Sequence, residues 1–395
     1  MSQDNIVIVS AKRTPIGSFQ GDLSSLKATD LGSAVLKKNL EDAKINANNI
    51  DEVIIGCVLP AGLGQAPARQ VSIGANIPVE VGATTINKMC GSGMKSIMIG
   101  YDSIAADNSS IVIAGGIESM SNAPYILPKI RKGLRMGHNK LLDHMFLDGL
   151  EDAYDEGKLM GSFAEDTAEH YQFSREDQDN FSIESLLKAK KANEEGLFNN
   201  EIVPISVQYK KKSKVIEKDE QPFKADLDKI PTLRPAFRKN GTVTAANSSS
   251  ISDGASAVLL MKESLADKKG IKPIARIISH STNSHEPKWF TTAPIGAITK
   301  VLEKSGWKFS DVDLYEVNEA FAVVPMAVMK ELSIEREILN INGGACALGH
   351  PVGASGARIV ATLINNLKNN NLKKGVASLC IGGGEATAIS LELLD

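Results

Sequence analysis

The sequence predicts an α/β fold of two similar halves, the first interrupted by an inserted segment. Three observations carry this. Short buried-strand patterns alternate with helical spacings from the start of the chain. The second half echoes the first: Ile50-Asp51-Glu52-Val53-Ile54-Ile55 resembles Val312-Asp313-Leu314-Tyr315-Glu316-Val317, and Ala114-Gly115-Gly116-Ile117-Glu118 resembles Ile381-Gly382-Gly383-Gly384-Glu385. Between them, a turn and helix at Cys90 is matched by a turn and helix at His350, 260 residues later. Finally, residues 123 to 245 change character, with Pro124, Pro128, a basic stretch Lys129 to Lys140 and an acidic stretch Asp148 to Glu156. They read as an insertion over the active face. The expected units are residues 1–122 with 246–273, the insertion 123–245, and residues 274–395.

At 395 residues the chain can bury a large core and hold two or three domains. A hydrophobic content of 43% with 23% charged residues is that of a soluble globular protein. A net charge of −3 gives no basic field for nucleic acid. No apolar run is long enough for a membrane span, and Met1-Ser2-Gln3-Asp4-Asn5 has neither the basic start nor the apolar stretch of a secretory signal. Cys57, Cys90, Cys346 and Cys380 form no CxxC pair, and no histidine stands at zinc-ligand spacing from them. Free thiols, no metal site and a reducing cytoplasm are expected.

In chain order, Ile6 to Ser10 is a buried strand and Arg13-Thr14-Pro15-Ile16-Gly17 a turn-rich loop. Leu31 to Leu40 has helical spacing, and Val53 to Val58 is a second buried strand. The β-branched run Thr84-Thr85-Ile86 leads into Asn87-Lys88-Met89-Cys90-Gly91-Ser92-Gly93, and Met94, Ile97, Met98, Tyr101 and Ile104 then share one helix face. Strand, sharp turn with a nucleophilic side chain, then helix is the geometry of a nucleophile elbow. The elbow places a thiol where the helix dipole is expected to lower its pKa. A free cysteine more commonly packs as a small hydrophobe, but an elbow needs Gly91 and Gly93 whereas a plain helix start does not. Ile111 to Glu118 is another buried strand. Ser174-Arg175-Glu176-Asp177 reads as a capping box opening a helix with Phe181, Leu186 and Leu187 inside. The charge run Tyr209-Lys210-Lys211-Lys212-Ser213-Lys214 reads as a solvated hairpin tip. Thr242 to Gly254 is small and polar, before apolar Ala257 to Met261.

The stretch Ile341 to Gly356 is the richest in glycine, and His350 lies there in a bent turn. Pro351 follows near the first helical position, and Val360, Leu363, Ile364 and Leu367 mark the helix face behind it. With two similar halves, the turns at Cys90 and His350 can meet at the shared interface, the arrangement an activated thiol requires. Cys380, ending a strand before a triple-glycine turn, is a second thiol directed at the same seam.

These blocks resemble the thiolases, and within them the acetyl-CoA C-acetyltransferases, over essentially the whole chain. The resemblance rests on Leu59-Pro60-Ala61-Gly62 with Gln65, Pro67, Ala68, Arg69 and Gln70, on Asn87 to Gly93, on Gly115-Gly116-Ile117-Glu118-Ser119-Met120-Ser121, on Asn318-Glu319-Ala320-Phe321-Ala322, on Gly349-His350-Pro351 and on Cys380-Ile381-Gly382-Gly383-Gly384. It implies an α-β-α-β-α layering and a reversible condensation of two acetyl-CoA to acetoacetyl-CoA and coenzyme A. Cys90 matches the acyl-accepting nucleophile, His350 the base that deprotonates it, and Cys380 the acid/base acting on the acetyl methyl group, a role for a thiol base of near-neutral pKa. Asn318 matches the holder of a water in one oxyanion hole, shared with His350. The N–H groups of Cys90 and Gly382 match the second hole. Ser249, with Ala245 and Ala320 beside it, matches the pantetheine contact. Phe237, Leu150, Met160 and Phe321 match further pocket residues. The insertion is then expected to carry coenzyme A and oligomer contacts. The resemblance implies no metal or redox cofactor, coenzyme A thioesters as the substrates, no nucleic-acid or membrane partner, and a homotetramer or homodimer with an exposed hairpin over residues 124 to 142 in a contact. Two positions depart from the pattern. Leu159 stands where short-chain biosynthetic members commonly carry histidine, and Ser248 and Ser250 replace the usual small pair around the pantetheine serine.

Competing readings are a 3-ketoacyl-CoA thiolase of wider chain length, a condensing enzyme on carrier-protein thioesters, a nucleotide-binding dehydrogenase and a non-catalytic acyl-CoA binder. Cys380 argues against the carrier-protein enzyme. No G-x-G-x-x-G follows the first strand, which argues against the dehydrogenase. The full set Cys90, Cys380, His350 and Asn318 argues against a mere binder.

Overall fold

A computed structural model describes residues 4–209 and 212–394. Met1 to Gln3 of the N-terminal reading, and Lys210 and Lys211 of the charge run, lie outside the described residues.

The first half runs β1 (Ile6–Arg13), β2 (Gly17–Ser18), α1 (Ala28–Ala43), β3 (Glu52–Gly56), α2 (Pro67–Gly74), β4 (Gly82–Ile86), α3 (Ser92–Ala105) and β5 (Ile111–Ser119). The insertion holds a hairpin of β6 (Tyr125–Ile126) with β7 (Leu142–Asp143), then α4 (Met160–Tyr171), α5 (Arg175–Glu194) and a second hairpin, β8 (Ile205–Tyr209) with β9 (Lys212–Ile216). The chain returns to the first half with β10 (Ser252–Lys262) and α6 (Glu263–Lys269). The second half is β11 (Ala275–Ser284), α7 (Ala293–Ser305), β12 (Leu314–Val317), α8 (Val323–Leu332), α9 (Ala345–Leu348), α10 (Val352–Asn369), β13 (Lys374–Ile381) and β14 (Glu385–Leu393).

The main sheet has the order β12-β13-β14-β11-β1-β10-β5-β3-β4, with β2 alongside β10. Read outward from its centre, β1-β10-β5-β3 mirrors β11-β14-β13-β12, so the repeat seen in the sequence is a structural repeat. The halves meet through two residue pairs, Val7 with Arg276 and Ile8 with Ala275. The two sheet layers are therefore arms of one sheet.

Three cores fill the layers. β1 shows how: Val7 and Val9 face the outer core with α1 and α2, while Ile6 and Ile8 face the central core with α3 and α10. This is the alternation of a strand buried on both faces. The third core packs α7 and α8 beneath the second arm. The layering is thus α-β-α-β-α, as the resemblance implied.

The repeat is broken at β4. Its counterpart after α8 is reduced to one parallel bridge, Tyr315 with Leu339. The Asn340 side chain takes over the pairing, its Oδ1 accepting from Val317 N–H at 2.8 Å and its Nδ2 donating to Val317 C=O at 2.8 Å.

The capping box on α5 is present, with Ser174 and Asp177 bonding reciprocally. Leu187 corrects the reading of that helix, being 50% exposed. Its inward stripe is Gln178, Phe181, Ser182, Ser185, Leu186, Ala189 and Ala192, and position 187 is rotated ~100° from 186.

The central helices touch backbone to backbone. A Cβ on Gly93 would lie 2.9 Å from both Gly353 O and Ala357 N, and one on Gly356 would lie 2.4 Å from Met94 N. Neither side can yield, since the obstacles are main chain. Gly356→Ala is therefore expected to lower stability by about 3 kcal/mol, the upper range for overpacking a core. Urea unfolding measures this, and a change under ~0.5 kcal/mol contradicts the fit.

Candidate active site

Cys90 sits on the elbow between β4 and α3. Met89, just before it, has φ of +47°, in the left-handed region. The bend is held locally: Met89 N–H donates to Asn87 Oδ1 at 2.9 Å, Lys88 N–H to Ser92 Oγ at 2.9 Å, and Ser92 Oγ to Met89 C=O at 2.6 Å. Lys88 Nζ pairs with Glu385 Oε2 at 2.6 Å, tying the elbow to the start of β14.

Cys90 is half-buried by area, yet protein surrounds its sulfur closely enough that burial pushes the thiol up to about 11. The N–H groups of Gly382 and of Cys90 itself pull the other way, and the buried Glu118 carboxyl adds a smaller upward push. This corrects the expected lowering by the helix dipole. α3 begins two residues later at Ser92, and desolvation outweighs the remaining dipole.

Cys380, fully buried in β13, lies close enough to Cys90 to feel its charge. Burial first, then Cys90, raises its thiol well above the ordinary value. The near-neutral thiol expected for it is thus corrected by the same desolvation. The turn after β13 needs glycine: Gly383 and Gly384 have φ of +95° and +87°.

His350 enters from the second half, on the turn before α10. Its backbone N–H donates to Ser250 C=O at 3.1 Å. Its Nδ1 lies 2.5 Å from Ser355 Oγ, and that hydroxyl donates to Pro351 C=O at 3.0 Å. The hydroxyl has one proton, already given to Pro351, so Nδ1–H is the donor to Ser355. Nε2 therefore carries a lone pair, and it is buried with no partner among the described residues. Burial, with a smaller contribution from Arg358, pushes the imidazole down to about 3. His350 is neutral, in the tautomer a base requires.

Asn318 follows β12. Its Oδ1 accepts from Arg358 Nη2 at 3.1 Å, and its Nδ2 is buried without a partner among the described residues.

Several of the expected pocket residues touch one another or the catalytic turns. Ser249 N–H donates to Ala320 C=O at 2.9 Å. Phe237 and Phe321 meet edge to face with ring centres 5.9 Å apart. Met160 reaches Gly382, its sulfur 3.2 Å from where a Cβ there would lie. Leu150 joins Cys90 in the small core around Met120, Met145 and Val352. Ala245 is exposed on the loop before Ser249.

Sequence reasoning assigned no role to Ser355, Arg358 or Glu118. Glu118 is fully buried, and its oxygens accept from the N–H groups of Val58, Leu59 and Gly353 at 2.9 to 3.1 Å. It thereby ties the loop after β3 to the first turn of α10. Burial pushes it up to about 7. The available signal was a carboxylate ending an otherwise apolar strand. For Arg358 the signal was a charge inside an apolar helix.

Residues 6–264 match the thiolase N-terminal domain and residues 271–393 the thiolase C-terminal domain. A protein of Dictyostelium discoideum described as a probable acetyl-CoA acetyltransferase is 50% identical over 99% of this chain and 94% of its own length. The acetyl-CoA acetyltransferase of Rhizobium meliloti is 47% identical over the full length of both chains. Among solved structures, a thiolase of Ascaris suum in complex with coenzyme A superposes with a TM-score of 0.94 at 44% identity, covering 99% of this chain and all of the other. The acetyl-CoA acetyltransferase of Bacillus anthracis gives 0.97 at 41% identity, covering 99% of each.

Ser355→Ala leaves Nδ1–H without its buried partner and frees the ring, so acylation of Cys90 should slow by about 10- to 100-fold, the rate equivalent of an unsatisfied buried donor. In the unaltered protein the same rate should show no acid limb between pH 5 and 7, because an imidazole at about 3 stays neutral throughout. Rapid-quench acylation across pH tests both, and a limb near 6.5 contradicts the second.

Proposed function

The chain belongs to the thiolase family, and on that premise we propose that it is an acyltransferase condensing two acetyl-CoA to acetoacetyl-CoA and coenzyme A, reversibly, through an acetyl-Cys90 intermediate. What supports this reading is that Cys90 acts on the Cys380 thiol electrostatically and the Gly382 N–H acts on Cys90, while His350 Nε2 and Asn318 Nδ2 are buried with no partner among the described residues.

Cys90 rests as a thiol. As its sulfur attacks the first acetyl-CoA carbonyl, its proton passes to His350 Nε2. The developing oxyanion meets the N–H groups of Cys90 and Gly382. Coenzyme A leaves as a thiolate and takes the Cys380 proton, so that Cys380 becomes the thiolate while His350 keeps the proton from Cys90. A second acetyl-CoA then binds, and Cys380 as thiolate removes a methyl proton. The enolate oxygen meets the donor from Asn318, through a water, and the side of the site formed by His350. The enolate carbon attacks acetyl-Cys90, and the Cys90 thiolate released regains its proton from His350, while Cys380 keeps the proton taken from the methyl group. The high thiol pKa values fit this cycle, since each thiolate exists only when its proton has a defined acceptor.

Ser249, Ala245, Ala320, Phe237, Phe321, Met160 and Leu150 form the side from which coenzyme A thioesters enter. No metal or redox cofactor has a step in this chemistry. The reading places the protein in the cytoplasm and in lipid metabolism, as a homotetramer or homodimer. Leu127, Ile130, Leu134 and Met136 are exposed on the β6–β7 hairpin, and contact with another copy accounts for such an apolar surface. Light scattering at micromolar concentration should report an oligomer, and a monomer contradicts this part.

Mass spectrometry after mixing with acetyl-CoA should show an acetyl adduct on Cys90, absent in Cys90→Ser. Cys380→Ser should still take the adduct but fail to exchange the acetyl methyl protons with deuterium, and turnover should fall by ~10²-fold or more. Exchange at the unaltered rate in folded Cys380→Ser protein rejects Cys380 as the base. Thiolysis should be fastest with acetoacetyl-CoA. Faster cleavage of longer 3-ketoacyl-CoA favours the wider-chain alternative, for which Leu159 leaves room.

A further inference from the structure

We propose that Arg358 is a positioning residue, whose guanidinium fixes the Asn318 carboxamide so that Nδ2, and not Oδ1, faces the reacting thioester. The inference rests on the acyltransferase reading and adds a residue to it.

A carboxamide is nearly symmetric in shape, and rotation by a half-turn exchanges a donor for an acceptor. Shape alone therefore does not fix which way the carboxamide faces. A guanidinium does, because it only donates. Arg358 Nη2 lies 3.1 Å from Asn318 Oδ1, so the oxygen is held and Nδ2 must point the other way. Flipped, Asn318 would set two donors against each other and accept from the bridging water instead of donating to it. That draws on a water proton the enolate oxygen needs and weakens the oxyanion hole.

The arginine is itself held by the fold. It is 2% exposed, on the buried length of α10. Glu316 Oε2 is 3.8 Å from its Nη1, and Asn366 Nδ2 fixes the other Glu316 oxygen at 2.9 Å. Ser355 lies one helical turn before Arg358 and sets the His350 tautomer. One face of α10 thus aims two buried atoms with no partner among the described residues, a lone pair on His350 Nε2 and a donor on Asn318 Nδ2. A water-like oxygen needs one of each, since it accepts from one and donates to the other.

The test is a double-mutant cycle on condensation and thiolysis, using full-length protein and acetyl-CoA or acetoacetyl-CoA. Asn318→Ala should lower kcat by ~10²-fold, the scale for losing an oxyanion-hole donor. Arg358→Met should cost nearly as much in kcat, with little change in KM. The double variant should be no slower than Asn318→Ala by more than about threefold, because Arg358 acts only through that amide. Arg358→Lys, which still donates and keeps the charge beside Glu316, should recover part of the rate. It also carries the cycle if Arg358→Met does not fold. Acetylation of Cys90 should survive in every variant, since the Cys90 and Gly382 N–H groups do not depend on Asn318. Losses that multiply in the double variant, or an unaltered kcat in Arg358→Met, overturn the assignment. Failure of unaltered protein to form acetyl-Cys90 rejects the acyltransferase reading instead, and so the two failures are distinct.

Discussion

The structure depends on one contact, the direct approach of the α3 and α10 backbones at Gly93, Gly353 and Gly356. No side chain stands between them. Gly116 on β5 extends the same seam, since a Cβ there would fall 1.9 Å from Gly353 O. The contact fixes how far apart two helix entrances lie, and each entrance carries one chemically active loop. Cys90 and His350 come from opposite halves of the chain and share no strand. Their relation is set by how closely two helices can pack, which is why glycine rather than a larger residue occupies the seam.

Around this seam the protein buries charge where an apolar core would serve packing equally well. Arg13 pairs with Glu201 and Asp219, Glu201 accepts from Thr362 at 3.0 Å, and Arg358 stands beside Glu316. Burial pushes Glu316 up to about 8, while the nearby Arg358 pulls it back. Buried ion pairs contribute little net stability, because desolvation offsets the attraction. Their value here is directional. A guanidinium or carboxylate in a dry environment has few acceptable orientations, and α10 carries those orientations to the site through Arg358.

Much of this was legible in the chain. The repeat and the elbow followed from glycine placement and from the spacing of apolar residues, and each appears as an element. The blocks that carry the candidate site side chains stood out because unusual residue types sit there in small-residue settings. What escaped was anything decided by burial. The Cys90 and Cys380 thiols were expected low and near neutral, yet both are raised, because desolvation depends on neighbours distant in sequence. Ser355 and Arg358 escaped for a related reason. Their roles are defined by a partner's unused atom, and a sequence does not show which atoms remain unused. Leu187 shows the limit on a smaller scale, since a one-residue phase error turns an apolar side chain from core to surface.

The broken repeat at β4 has a consequence for the ends of the sheet. At the β12 end, Leu339 and the Asn340 amide occupy the outer hydrogen-bonding groups of Tyr315 and Val317. At the other end, β4 is paired with β3 on one side and with no strand on the other among the described residues. The sheet therefore has a single adhesive rim. A body with two such rims can add copies at both ends and grow into a filament. A body with one can join another copy through it once, about a two-fold axis, and is then spent. By filling one rim with an asparagine side chain, the second half removes one of the two edges through which copies could add in series.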